Sequence, residues 1–164
     1  MTIDLKHFRR LLGHFATGVT IITGAKDAEM FGLTVNSFNS VSLDPPLISF
    51  CAAKSSSSWP ALSQCTSLGV NILGNHQETM ARTFACSGRN KFEGVEYELS
   101  TLGSPQLKGA VASFECVPFD EFPAGDHSVV FLRVTDMLLN EEPHSPLVFF
   151  SGGFHSLSKI EITN

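Results

Sequence analysis

Seven runs of β-branched and apolar residues, 19–23, 31–41, 47–51, 68–73, 110–117, 129–137 and 147–150, recur along the chain, each closed off by Gly, Pro, Asp or Ser. Such side chains suit a pleated, half-buried surface, and the bounding residues make tight turns. This spacing favours a closed antiparallel barrel. A strict βαβ alternation is missing, as is GxGxxG, which disfavours a dinucleotide-binding Rossmann domain. Helical patterns are few. Asp4 is placed to cap a short helix in which Leu5, Phe8, Leu12 and Phe15 share one face, and packing is the role expected of it. A second pattern covers 58–64 and a third 75–85, with Asn75 and Glu78 as cap and third residue of a capping box.

Composition narrows the function classes. With 164 residues, 43% of them hydrophobic, the chain is long enough for one compact domain spanning 1–164. Eleven basic residues against 16 acidic ones, with no basic cluster, disfavour nucleic acid as a partner. No apolar run approaches the roughly 20 residues of a membrane span, and the amphipathic start MTIDLKHFRRLLGHF is unlike a signal peptide. A soluble, cytoplasmic protein is expected. Cys51, Cys65, Cys86 and Cys116 lie far apart, and His7, His14, His76 and His144 show no ligand spacing. Reduced, mostly buried thiols and no metal follow. Asp120, Glu121, Glu141 and Glu142 read as solvated loop charges, Trp59 as packing at a helix start, and the 14 Phe as barrel core and dimer interface.

Two polar stretches interrupt the apolar pattern. In FCAAKSSSSWPAL, residues 50–62, a strand gives way to four serines before a helix that Ser58 would cap, with Pro60 in its first turn. Serine hydroxyls, unpaired amides and the Lys54 ammonium would suit a phosphate, but a capped surface turn accounts for the same residues. In GLTVNSFNSVSLDPPLISF, residues 32–50, Thr34, Asn36, Ser37, Ser40 and Ser42 crowd a segment whose strand pattern calls for apolar residues. Antiparallel pairing of the two segments would let both face one elongated ligand carrying a heterocycle and a phosphate.

FATGVTIIT at 15–23, GLTVNSFNSVSLDPPLISFC at 32–51, GVNIL at 69–73, MARTFA followed by NKFEGV, GDH at 125–127 and VFFSGGFH at 148–155 together resemble the flavin reductase domain family, in the family's order over nearly the whole chain. The resemblance implies a mainly β fold: an FMN-binding split β-barrel, Greek-key and antiparallel, with a few short flanking helices. It implies a homodimer and an NAD(P)H:flavin oxidoreductase that supplies reduced flavin to a separate monooxygenase component. FMN, with FAD as the other candidate, would be the flavin, and NADH, with NADPH as the other candidate, the donor. A split-barrel FMN protein with another oxidase activity, and a noncatalytic flavin-binding module, remain the alternatives.

Carried over by position, Thr34, Val35, Asn36 and Ser37 with Ser40, Val41 and Ser42 match the segment that holds the isoalloxazine edge and ribityl chain. Cys51, Ala52, Lys54, Ser55, Ser56, Ser57 and Ser58 match the loop that grips chain and phosphate, while Phe84, Lys91 and Phe92 match a third flavin-contacting segment. Asp126 and His127 match the nicotinamide-binding GDH element, and Phe154 and His155 the C-terminal aromatic element near the same pocket. His127 is expected to orient the nicotinamide without covalent chemistry. Hydride transfer between two planar rings asks chiefly for positioning, which agrees with the lack of a triad or paired carboxylates.

Overall fold

The structure, a computed structural model, describes residues 2–88, 90–141 and 145–157. Glu142 and His144, read above as solvated or core residues, lie outside them. In chain order the elements are α1 (Leu5–Leu12), β1 (Thr17–Gly18), β2 (Thr20–Lys26), β3 (Glu29–Val35), β4 (Asn39–Leu43), β5 (Pro46–Ala53) and α2 (Trp59–Leu62). Then come β6 (Leu68–Ile72), a 3-10 turn (Asn75–Gln77), α3 (Glu78–Ala85), β7 (Tyr97–Leu99), β8 (Pro105–Leu107), β9 (Ala112–Ala124), β10 (His127–Leu139), β11 (Leu147–Phe150) and β12 (Gly153–Ser156). The fold is mainly β, and every strand pairing is antiparallel.

Seven strands form the main sheet in the order β3-β2-β6-β9-β10-β5-β4. Its two end strands, β3 and β4, are joined by residues 36–38 alone. That link reaches at most about 15 Å, whereas seven strands laid flat span about 29 Å. The sheet therefore curls until its ends meet. At the link Ser37 is held to β5: its Oγ accepts from the Cys51 amide at 2.9 Å and donates to the Cys51 carbonyl at 3.3 Å. The 31–41 run breaks into two strands here, because ahead of β4 the Ser37 side chain takes the β5 partner that a continuous strand would have bonded through its main chain.

Period-2 alternation divides the apolar residues between two cores. Ile22, Phe50, Leu62, Val70 and Leu132 fill the barrel. Val19, just before β2, and Ile21 on it point the other way, into a second cluster with Phe84, Ala81, Leu107 and Leu147 beneath α3 and β11. Buried Asn71 crosslinks the layers: its amide donates to Ile21 O and Thr23 Oγ1, and its carbonyl oxygen accepts from Leu107 N and Ser113 Oγ. All four of its hydrogen-bonding positions are used.

Several local expectations change. Asp4 does cap α1, accepting from the Lys6 and His7 amides. That helix buries no residue, however, and Leu5, Phe8, Leu12 and Phe15 are all exposed, so it does not pack into this chain's core. The capping box of α3 sits one residue early: Gln77, not Glu78, reaches back to the Gly74 amide, because the first turn is 3-10. Glu121 lies in β9, not a loop, and accepts from Trp59 Nε1 at 3.3 Å. Trp59 is buried edge-on against Phe50. The four cysteines are free; Cys65 and Cys116 are buried, Cys51 is half-buried and Cys86 exposed. Among the described residues no helix is long and apolar enough to cross a membrane.

Candidate functional site

The serine loop begins where β5 ends against the start of β10, with Ala53 opposite His127. Its first residue is tied to the β9–β10 turn twice: the Lys54 amide donates to Asp126 O at 2.9 Å and Lys54 Nζ to Gly125 O at 2.7 Å. Gly125 holds a positive φ of 62° in that tight turn. The loop matched to flavin phosphate and the turn matched to nicotinamide are thus one fastened unit.

Within the loop the cap is Ser56. Its Oγ accepts from the amides of Ser58 and Trp59, whereas the Ser58 side chain makes no capping bond. Ser58 is occupied differently: its Oγ accepts from Lys91 Nζ at 2.9 Å. The same ammonium donates to Gly32 O at 3.1 Å and Phe84 O at 3.0 Å. One lysine so joins β3, the end of α3 and the start of α2. Burial pulls the Lys91 ammonium below its ordinary pKa, with Cys86 nearby acting in the opposite sense. Ser55 and Ser57 keep exposed side chains.

The polar segment runs along the seam. Thr34 Oγ1 donates to Ala81 O at 2.8 Å, which ties β3 to α3. Asn36 and Ser40 are exposed, Ser42 is half-buried, and Val41 is 44% exposed. The register slips between Ser40 and Ser42, and β4 is a sheet edge with one strand neighbour. Edges and bulges leave main-chain donors and acceptors for another molecule.

Three expected contact residues have their side chains elsewhere. Val35, Ala52 and Phe84 are core residues, Phe84 fully buried against Phe92 and Gly32. Their main chain is engaged within the chain as well: Val35 O accepts from Thr20 Oγ1 at 3.2 Å, Phe84 O accepts from Lys91 Nζ at 3.0 Å, and Ala52 pairs with Ser128 of β10. Phe92 is half-buried, edge-on to both Phe84 and Tyr97.

At the nicotinamide-matched turn, His127 Nδ1 lies 2.7 Å from Asp126 Oδ1. A carboxylate only accepts, so Nδ1 carries the hydrogen of this contact. The His127 hydrogen bond, more than any other cause, lowers the Asp126 carboxyl below its ordinary value. Phe154 and His155 lie in a separate three-stranded sheet, β1-β11-β12. Phe154 packs edge-on to Phe149, with the Arg82 guanidinium 4.8 Å over its ring, and His155 Nε2 stands 3.2 Å from Phe150 O. Within this chain they belong to the α3 side, and the contacts that tie Lys54 to Gly125 and Asp126 do not extend to them. Gly32 and Arg82 stand in the stretches quoted from sequence, GLTVNSFNSVSLDPPLISFC and MARTFA, with no role of their own assigned there; in the structure a Cβ at Gly32 would overlap the Phe84 ring.

The cavities lie beside these residues. An open one of about 410 Å³ is lined by Ser57, Pro60, Ala61 and Gln64 with the β2–β3 turn, and a smaller one of about 200 Å³ by Trp59, Glu121 and Leu132 among others. Of the matched residues only Ser57 lines either of these two cavities. The donor set that the matched residues offer, serine hydroxyls, an ammonium and edge-strand main chain, fits a phosphorylated, hydrogen-bonding ligand.

Residues 12–158 match the family model described as "Flavin reductase like domain". The reductase subunit HsaB of a flavin-dependent monooxygenase from Rhodococcus jostii is 39% identical over 93% of this chain and 77% of its own length. The FMN reductase (NADH) SmoA of Agrobacterium fabrum is 38% identical over 94% of this chain and 87% of its own. The crystal structure of a nitrilotriacetate monooxygenase component B homolog from Mycobacterium thermoresistibile superposes with a TM-score of 0.93 at 38% identity, covering 98% of this chain and 90% of that one. With the seam, the serine loop and the Gly125–His127 turn all inside the matched span, the chain belongs to the flavin reductase like domain family.

Proposed function

We propose that this protein is an NADH-dependent flavin reductase that delivers reduced FMN or FAD to a separate monooxygenase component. The observation that carries the reading is the double fastening of the serine loop to the Gly125–His127 turn through Lys54. It holds two nucleotide-matched elements in fixed relation, which is what hydride transfer between two bound ring systems requires. Relatives named as an NADH-dependent FMN reductase and as a monooxygenase reductase subunit support it.

When bound, flavin would supply the redox chemistry as the acceptor of a hydride from the nicotinamide. The chain positions the partners. Ser55, Ser57 and Ser58, with the charge of Lys54, receive the flavin phosphate. Asn36, Ser40 and Ser42 and the free edge of β4 receive the ribityl chain and ring edge. His127 Nε2 accepts from the nicotinamide carboxamide or ribose while Asp126 holds the ring. His127 moves no proton in this account.

The site is open along the seam, and the protein works as a homodimer in which a second copy closes it. Leu5, Phe8 and Leu12 on α1, with Phe15 just after it, offer apolar surface for that association. Residues 1–164 act as a single domain. Steady-state NADH oxidation by flavin-stripped protein, with FMN, FAD, riboflavin or no flavin added, tests the reading. Turnover only with added flavin supports it; flavin binding with no turnover would sink it in favour of a flavin carrier or another oxidase. His127→Ala is expected to raise KM for NADH several-fold more than KM for flavin.

A further inference from the structure

We infer that Lys91 is a positioning residue that aims the Ser58 hydroxyl at the phosphate of a bound flavin without itself touching that phosphate. The inference rests on the flavin-reductase reading and assigns the phosphate contact within it.

An ammonium has three hydrogens. In Lys91 all three have acceptors inside the chain: Gly32 O, Phe84 O and Ser58 Oγ. Two of these are anchors. Gly32 O belongs to β3, a strand at the end of the sheet order. Phe84 O belongs to the last turn of α3, where carbonyls lack intrahelical partners and favour a cation. The anchors fix the ammonium, and the third bond fixes Ser58 Oγ. By accepting from Lys91, that oxygen is left with its own O–H to offer, and a charge-assisted bond to the oxygen makes the O–H a better donor. Phosphate oxygens only accept, so a hydroxyl held with its hydrogen outward is matched to them, whereas an ammonium already committed to three oxygens must break a bond to reach them. Ser58 is free for this task because Ser56 caps α2 in its place.

The structural cost of losing Lys91 and its effect on the ligand are separable by comparing flavins with and without a phosphate. Dissociation constants for FMN and riboflavin would be measured for the wild type, Ser58→Ala, Ser58→Thr, Lys91→Gln and the Ser58→Ala/Lys91→Gln pair. The wild type is expected to prefer FMN. In Ser58→Ala that preference falls about tenfold, the worth of one hydrogen bond to a charged group, while Ser58→Thr, which keeps the hydroxyl, retains it. Lys91→Gln loses a similar factor, and the double variant loses no more than Ser58→Ala alone. Losses that multiply in the double variant would place Lys91 directly on the phosphate and overturn the inference. If Lys91→Gln does not fold, Lys91→Arg takes its place in the cycle: a loss absent from the Ser58→Ala background supports the inference, and an unchanged FMN preference overturns it. A wild type that oxidises NADH with FMN and riboflavin alike, with equal affinities, would overturn it and leave the reductase reading standing. Absence of NADH oxidation with any flavin would remove the reading itself.

Discussion

The polar seam and the apolar outer surface of this protein are finished to different degrees. Along the seam, Ser37, Thr34, Ser56, Lys54 and Lys91 each have a main-chain partner within the chain. On the outside, Leu5, Phe8, Leu12 and Phe15 around α1, and Met137, Leu138 and Leu139 at the end of β10, are left uncovered. The difference follows from the chemistry of the two surfaces. A polar group aimed at a ligand must be oriented before the ligand arrives, and hydrogen bonds to the backbone do that. An apolar surface needs no orientation, only something to cover it, which a second copy supplies in the dimer proposed above.

The comparison is broken most severely at Gly32. Alanine there drives a methyl group into the fully buried Phe84 ring, and overpacking of this kind is expected to cost about 3 kcal/mol in denaturant unfolding. The same change displaces a carbonyl that Lys91 uses, so FMN affinity falls with stability. Ser37→Ala is next. It leaves the half-buried Cys51 amide and carbonyl without their seam partner, a loss of about 2 kcal/mol. Unchanged stability in Ser37→Ala would show that the seam is held by other contacts.

A third test lies in the core between the two surfaces. Burial, reinforced by the Glu115 carboxylate, pushes the Cys116 thiol up from its ordinary 9.0 to about 12. The folded value is raised, so between these limits the unfolded chain releases a proton that the folded chain keeps. Stability is therefore full below about pH 9 and falls above it by about 1.4 kcal/mol per pH unit from this group. In Cys116→Ala that part of the alkaline slope should vanish, whatever the substitution does to stability at neutral pH. An identical slope in the variant would contradict the assignment. The smallest effect on the folded monomer is expected from Leu12→Asp: a change within about 0.5 kcal/mol, because α1 buries nothing in its own chain. Sedimentation should nonetheless shift toward monomer, and a shift absent at all concentrations would remove α1 from the interface.

Much of the barrel was legible because period-2 alternation and turn residues act locally. The runs at 19–23, 47–51 and 68–73 fall within β2, β5 and β6 or their immediate ends for that reason. The break at residues 36–38 was not legible, since it depends on the Ser37 side chain meeting Cys51 on β5. The short strands β7, β8 and β12 were missed because three or four residues carry too little periodicity. The amphipathic pattern of α1 holds for Leu5, Phe8 and Leu12 but not for Phe15, because the helix ends at Leu12, and a sequence does not tell whether that face meets its own chain or another. At the site, the resemblance marks segments and leaves side chain and main chain undistinguished. Val35, Ala52 and Phe84 are named with Ser37 and Ser58, yet the side chains of the first three are buried in the core. Lys91 was named as a contact, and only the geometry shows its three hydrogens committed elsewhere.

The most direct test of the account is an anaerobic single turnover. Flavin-stripped protein loaded with FMN is mixed with one equivalent of NADH, and loss of NADH and bleaching of the flavin are followed together. The account predicts that both proceed at one rate, one NADH consumed for each flavin reduced, far faster than in the absence of protein. Flavin that binds but stays oxidised while NADH persists would contradict it.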